Sequence, residues 1–270
     1  MKNRLSATQT SLILVSLGIV FILLVLPLLL IFSQAFSQGF SGFWHAMRDS
    51  DMQHAIRLTL LVAVITVPLN VIFGVFLAWC VTHYRFKGRQ LLITLIDIPY
   101  ATSPVVAGLC YLVVYGAESH FGQWLSHYDI QLMFAWPGLV MVTIFVTSPF
   151  VARLLIPLMQ EQGSDQEQAA LTLGASGWQI FYHITLPKIK WGLLYGVILS
   201  NARAIGEFGA VSVVSGAIRG QTLTLALLVE QLNDDHKVVG AFSAALLLAS
   251  MAIITIALKA FLEKNTKAAF

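Results

Sequence analysis

Six stretches of this chain are apolar over more than twenty residues each: 11–32, 58–81, 91–116, 137–159, 191–216 and 238–262. A helix needs about 20 apolar residues to cross the hydrocarbon core of a bilayer. Within lipid every backbone polar group must find its partner inside the protein, which leaves only helices or a closed barrel. The six runs lack the strict alternation of barrel strands. The pattern therefore predicts an all-α integral membrane protein with six transmembrane helices. Composition excludes the soluble alternative, because only 11% of the residues are charged, against roughly 25% in an ordinary soluble domain.

The connections set an orientation. Lys2 and Arg4 precede the first run, and Arg85, Lys87 and Arg89 fill the second connection. Arg153, Lys188 and Lys190 flank the long connection 161–190, and Lys259, Lys264 and Lys267 close the chain. Segments 33–57, 117–136 and 217–237 are poorer in Lys and Arg. Basic residues favour the cytoplasmic side, so both termini and the 161–190 connection are expected there. The net charge of +3 is small and its basic residues sit between apolar blocks, which points to topology and not to nucleic-acid binding. The first run, at about 22 residues, exceeds the 7–15 of a signal peptide's apolar region and is expected to stay as a span. Trp79, Trp136 and Trp191 stand at span ends, as interfacial aromatics do.

The outer connections carry aromatics. Phe36, Phe40, Phe43 and Trp44 suit a short amphipathic helix on the outer surface, and 117–136, with Phe121, Trp124, Leu125 and Leu132, suits a partial dip into the membrane. The expected organisation is 1–53 as an N-terminal helix plus amphipathic segment, 54–262 as the main transmembrane domain and 263–270 as a cytoplasmic tail.

Asp97, Arg203 and Glu207 fall inside apolar runs. Asp97 lies beside Pro99, with Pro104 five positions on. Proline removes a backbone donor and clashes one turn back, so this helix should kink or break. Asp97, Pro99 and Pro104 then either line a transport pathway or form a structural kink that Asp97 caps. Arg203 and Glu207 are four apart, a spacing that lets them pair on one helix face. Arg203 lies on the order of 18 Å beyond Trp191 along a helix, near mid-membrane, where a charge is costly and faces a bundle interior or polar path. The pair either attracts an anion or gates the pathway, or it ties helices together.

The remaining reactive residues exclude more than they suggest. Cys80 and Cys110 sit in apolar runs and read as buried small hydrophobes. The seven histidines form no ligand pair at metal spacing, so no metal site is expected. No Gly-x-Ser-x-Gly elbow occurs. Segment 216–222 lacks the frame and the lysine of a phosphate-binding loop. The chain is therefore expected to be no enzyme and to hold no cofactor; if ATP drives it, other subunits bind the ATP-Mg.

The connection 161–190 carries the most specific signal. It is long, and long connections are commonly functional. Trp178, Ile180, Phe181 and Tyr182 are interaction residues. Residues Glu167 to Leu173 favour helix, and Gly174 should end it. Gln168-Ala169-Ala170, then Gly174, then Ile184, then Leu186-Pro187 resembles the EAA motif of binding-protein-dependent ABC importer permeases. Gln168 stands where that motif has Glu, with Glu167 just before it.

Residues 95–108 and 202–210 look like the oxyanion branch of that family, the sulfate/thiosulfate and molybdate permeases. Over nearly the whole chain the likeness is greatest to the W-type permease of the sulfate/thiosulfate importers. The resemblance implies a type I ABC importer transmembrane domain in a bacterial inner membrane. It implies a heterodimer with a second permease subunit, two ATP-binding subunits and a periplasmic sulfate/thiosulfate-binding protein. It implies that Glu167, Gln168, Ala169, Ala170, Gly174, Ile184, Leu186 and Pro187 couple to an ATPase. A molybdate or tungstate permease of the same branch, or a stand-alone secondary transporter, are the other readings.

Overall fold

The computed structural model describes residues 7–267. Lys2 and Arg4, used above for orientation, and the end of the 263–270 tail lie outside the described residues. Every described element is helical. Four helices are long and apolar enough to cross a membrane, and two bent pairs bring the number to as many as six.

Helix α1 (Thr8–Ala35) is bare along its apolar length, and only its final turns pack on the C-terminal helix. Helix α2 (Gly39–Arg48) forms where the aromatic segment suggested it. Phe36 and Phe43 stack at 4.8 Å, and the Arg48 guanidinium lies over the Trp44 ring at 5.2 Å. Asp49 caps α3 (Ser50–His83) by accepting from the Asp51 and Met52 amides, a side-chain cap of the usual N-terminal kind. This helix runs through Pro68 and spans roughly 51 Å at 1.5 Å per residue.

The third apolar run is broken, as its prolines suggest. Helices α4 (Arg89–Ala101) and α5 (Pro104–Tyr115) meet at 106°. A residue before proline is pushed out of the helical region, and Thr102 and Ser103 are both extended. The short α6 (His120–Ser126) follows, capped by Ser119. Helix α7 (Trp136–Gln162) has a single turn residue, Ser148, just before Pro149.

Two sequence expectations change. The connection 161–190 is mostly helix: α8 (Asp165–Thr172) is followed by α9 (Gly177–Ile205), which contains a π-helical turn at Phe181–Thr185. Trp178, Phe181 and Tyr182 thus belong to the base of a long helix. The fifth run is also bent, because α9 ends at Ile205 and α10 (Gly209–Ser215) leaves at 50°. No proline marks this second break; Gly206 lies in it, and the Glu207 side chain accepts from the Ala210 amide at the start of the next helix. Helices α11 (Leu225–Asp234) and α12 (Val238–Lys267) complete the chain.

A main core joins α3, α7, α10 and α11 through Met52, Leu58, Leu139, Val142, Val211 and Leu225. A second joins α3, α7 and α9 through Ala78, Val151, Leu155 and Ile189. Close helix approach depends on small residues: a Cβ on Gly74 would lie 2.6 Å from Val151 Cβ, and one on Gly108 2.7 Å from the Ala210 carbonyl oxygen. Polar bonds reinforce the crossings. Asn70 Nδ2 donates to Thr147 Oγ1 at 2.6 Å, and Thr59 Oγ1 accepts from the Leu225 amide at 2.8 Å. Both cysteines are free, and Cys110 is exposed instead of buried, because its helix turns that face outward.

Candidate functional site

The first candidate site is the elbow formed by α8 and the base of α9. Asp165 and Glu167 lie in the first turn of α8, where carboxylates favour the positive end of the helix. The two acidic-motif positions have opposite environments. Glu167 is only 8% exposed. Its Oε1 accepts from Thr185 Oγ1 at 2.5 Å, and its Oε2 pairs with His83 Nε2. Gln168 is exposed and donates from Nε2 to Ser164 Oγ at 2.9 Å.

Ala169 and Ala170 supply the carbonyls that close the helix, accepting from the Leu173 amide. Gly174 takes φ +85°, a left-handed geometry suited to glycine, and turns the chain. Ser176 and Gln179 then form a reciprocal capping box that starts α9. Ile184 and Leu186 are half-buried and Pro187 is exposed; Leu186 packs against the second core.

The outer face of the elbow is apolar and uncovered. Leu173 is 88% and Trp178 77% exposed, with Leu171 and Tyr182 also exposed. An open cleft of about 660 Å³ runs between α8 and the end of α3, lined among others by Trp79, His83, Arg85, Arg89, Ser164 and Gln168.

The second candidate site is where the two bent pairs meet. Pro104, at the start of α5, lies against Gly209, at the start of α10: a Cβ on Gly209 would be 3.2 Å from Pro104 Cβ. Glu207 sits in the bend, 2% exposed. Its Oε1 accepts from the Ala210 amide at 3.0 Å, capping α10. Its Oε2 lies 2.6 Å from Arg203 Nη1. That approach is an ion pair without hydrogen-bond alignment, since Oε2 has no hydrogen-bond partner. The expected i,i+4 pair therefore forms, across the end of a helix and not along its face.

Asp97 and Pro99 are held elsewhere. Asp97 lies within α4, so it is not the cap that one reading made it. Its Oδ1 accepts from Arg153 Nε on α7 at 2.7 Å, and the same guanidinium lies 4.5 Å from the centre of the Tyr100 ring. Pro99 is buried inside α4.

Three residues that hold these candidate sites together escaped the sequence. His83 belongs to no ligand-spaced pair, Thr185 is an ordinary residue in a motif gap, and Arg153 had been assigned only to topology. Their partners are 84, 18 and 56 positions away, distances at which a single sequence carries no pairing signal.

With this geometry in hand, relatives place the chain. Residues 70–268 match the family described as binding-protein-dependent transport system inner membrane component. The chain is 59% identical over 243 residues to the Sulfate transport system permease protein CysW of Escherichia coli K12, covering 90% of this chain and 83% of that protein. It is 35% identical over 241 residues to the Sulfate transport system permease protein CysT of the same organism, covering 88% of this chain and 87% of that one. Among solved structures, the fold matches a bacterial ABC transporter involved in the import of alginate, with TM-score 0.77 at 16% identity, over 96% of this chain and 94% of the other. The fold is accordingly that of ABC importer permeases, and the chain belongs to the family of binding-protein-dependent transport system inner membrane components.

Proposed function

We propose that the protein is a permease subunit of an ATP-driven importer that carries sulfate and thiosulfate across the bacterial inner membrane. The observation that carries this reading is the 59% identity to CysW along 90% of the chain. In this reading both bent pairs cross the membrane, giving six crossings with both termini and the α8 elbow in the cytoplasm. The basic residues at the elbow side support that orientation.

The chain binds no nucleotide. Two partner ATPases hold ATP-Mg, and the uncovered apolar elbow of α8 and α9 is the surface on which one of them docks. The chain pairs with a second permease of the same family, for which a CysT-like protein is the natural candidate. A binding protein delivers the anion from the periplasm, as the family description implies. The meeting of the two bends, with Arg203 turned to a partly open face, lines the pathway and offers the anion a positive charge. Helix breaks at membrane depth are tolerated where they line such a path.

The test is uptake of labelled sulfate, thiosulfate and molybdate in cells lacking this chain, with and without a plasmid copy. Restored sulfate and thiosulfate uptake is the expected result. Restored molybdate uptake alone would assign the other oxyanion. Uptake that persists when ATP is depleted would assign a secondary transporter.

A further inference from the structure

We infer that His83, Glu167 and Thr185 form a latch around the buried Glu167 carboxylate that transmits movement of the α8 elbow to the membrane helices, acting as positioning residues distinct from the surface that docks the ATPase. The inference rests on the importer reading above and names which side chains carry its mechanical step.

A carboxylate removed from water is costly unless it is paired or hydrogen-bonded. Glu167 meets that requirement with partners from two other elements. The His83 imidazole is the last residue of α3, and the Thr185 hydroxyl belongs to the π-helical turn of α9. One side chain thus joins α8 to the ends of two long helices.

The rest of the joint is braced. The His83 Nδ1 lies 2.9 Å from Thr82 Oγ1 and 3.2 Å from the Trp79 carbonyl oxygen, which fixes the imidazole's orientation. Thr185 is 2% exposed. The Trp79 ring, one turn before His83, packs on Phe181 at 5.9 Å, so α3 and the base of α9 also touch directly.

Farther along, the same two helices carry the polar contacts described above. Helix α3 holds Asn70 against Thr147, and α9 leads to Arg203 and Glu207. A displacement of α8 cannot leave Glu167 in place, because its neighbours on the helix are exposed and free to move with a partner. It must either strand the carboxylate or carry α3 and α9 along. A π-helical turn of this kind is a frequent mark of functional sites.

The division of labour is sharp. Gln168, Leu171, Leu173 and Trp178 face outward and can be covered by a partner. Glu167 faces inward and cannot.

The experiment uses the whole transporter, purified and reconstituted in vesicles, with labelled sulfate uptake and ATP hydrolysis measured on the same samples. Glu167→Ala is expected to keep the ATPase subunits bound and hydrolysing, while uptake per ATP falls about tenfold. His83→Ala should do the same, and the double variant should be no worse than either single one, because partners in one contact do not add. Glu167→Gln, which keeps a carbonyl oxygen for Thr185 and turns an amide N–H toward the His83 ring nitrogen, should restore at least half the ratio. Thr185→Val, which removes one contact without changing size, should lose two- to threefold and keeps the test open should Glu167→Ala fail to fold.

An unchanged ratio in Thr185→Val and His83→Ala would overturn the latch. So would loss of the ATPase subunits from Glu167→Ala, since that would make Glu167 a docking residue. A wild-type complex without ATP-driven uptake would contradict the importer reading itself, whatever the variants do.

Discussion

The Arg203 guanidinium and the Glu207 carboxylate meet at 2.6 Å across the end of a helix that stops between them, at Ile205. The pair therefore stabilises a bend. Glu207 holds the next helix by its Ala210 amide and the previous one by Arg203. The guanidinium keeps a third of its side chain exposed and remains able to meet an anion.

Removal of Arg203 should be felt in both roles. Breaking a buried pair costs about 3–5 kcal/mol because one charge is left uncompensated, and partial exposure of Arg203 places this case at about 3 kcal/mol or less. Arg203→Ala is expected to lower sulfate uptake at least tenfold per assembled complex, with Arg203→Lys retaining part of it. Uptake normalised to complex in the membrane measures this; a wild-type rate in Arg203→Ala would remove Arg203 from the pathway.

Close approach of α5 and α10 should depend on Gly108. An added methyl would sit 2.7 Å from the Ala210 carbonyl oxygen and 3.1 Å from Val213 Cβ, and overpacking of this kind costs about 1–3 kcal/mol. Gly108→Ala should lower the melting temperature of the detergent-solubilised protein. Gly18→Ala, where no atom lies within 4 Å, should not. Equal melting temperatures for the two variants would contradict the packing described.

Gln168→Glu should be nearly silent. Gln168 is exposed and its one side-chain bond is to the Ser164 hydroxyl, which can donate to a carboxylate as well. The expected stability change is within about 0.5 kcal/mol, as for most surface substitutions, with uptake unchanged. Severe loss of uptake would show that α8 docks differently from the related motif.

Trp178 should matter to assembly and not to folding. It is 77% exposed, and exposed aromatic patches commonly mark docking surfaces. Trp178→Ala should leave the melting temperature of the isolated chain unchanged and weaken ATPase association about tenfold. Pull-down against a titrated ATPase subunit reads this out; undiminished association would place the docking surface elsewhere.

Much of this was legible in the sequence, and the reasons differ by element. Apolar runs announced the helices because hydrocarbon thickness imposes their length. Pro104 announced the α4–α5 break because proline acts on its own backbone and on the residue before it, whereas Pro99 is accommodated inside α4. The α9–α10 bend was not legible, since glycine permits a bend without demanding one and the cap on Glu207 exists only once the chain has turned. The helix of α8 and its stop at Gly174 were legible from local propensity. The burial of Glu167 beside exposed Gln168 was not, because adjacent residues on a helix point about 100° apart and which one faces inward depends on α3. The pairing of Asp97 with Arg153 likewise needed the fold, as it joins helices 56 positions apart.

The central claim is that this chain is the membrane path of an ATP-powered sulfate importer. It is tested most directly by reconstituting the purified complex of this chain, its partner permease and its ATPases in vesicles, with the binding protein on the outer side. Labelled sulfate should accumulate inside only when both ATP on the ATPase side and the binding protein are present. Accumulation without ATP, or none when both are supplied to an intact complex, would contradict it.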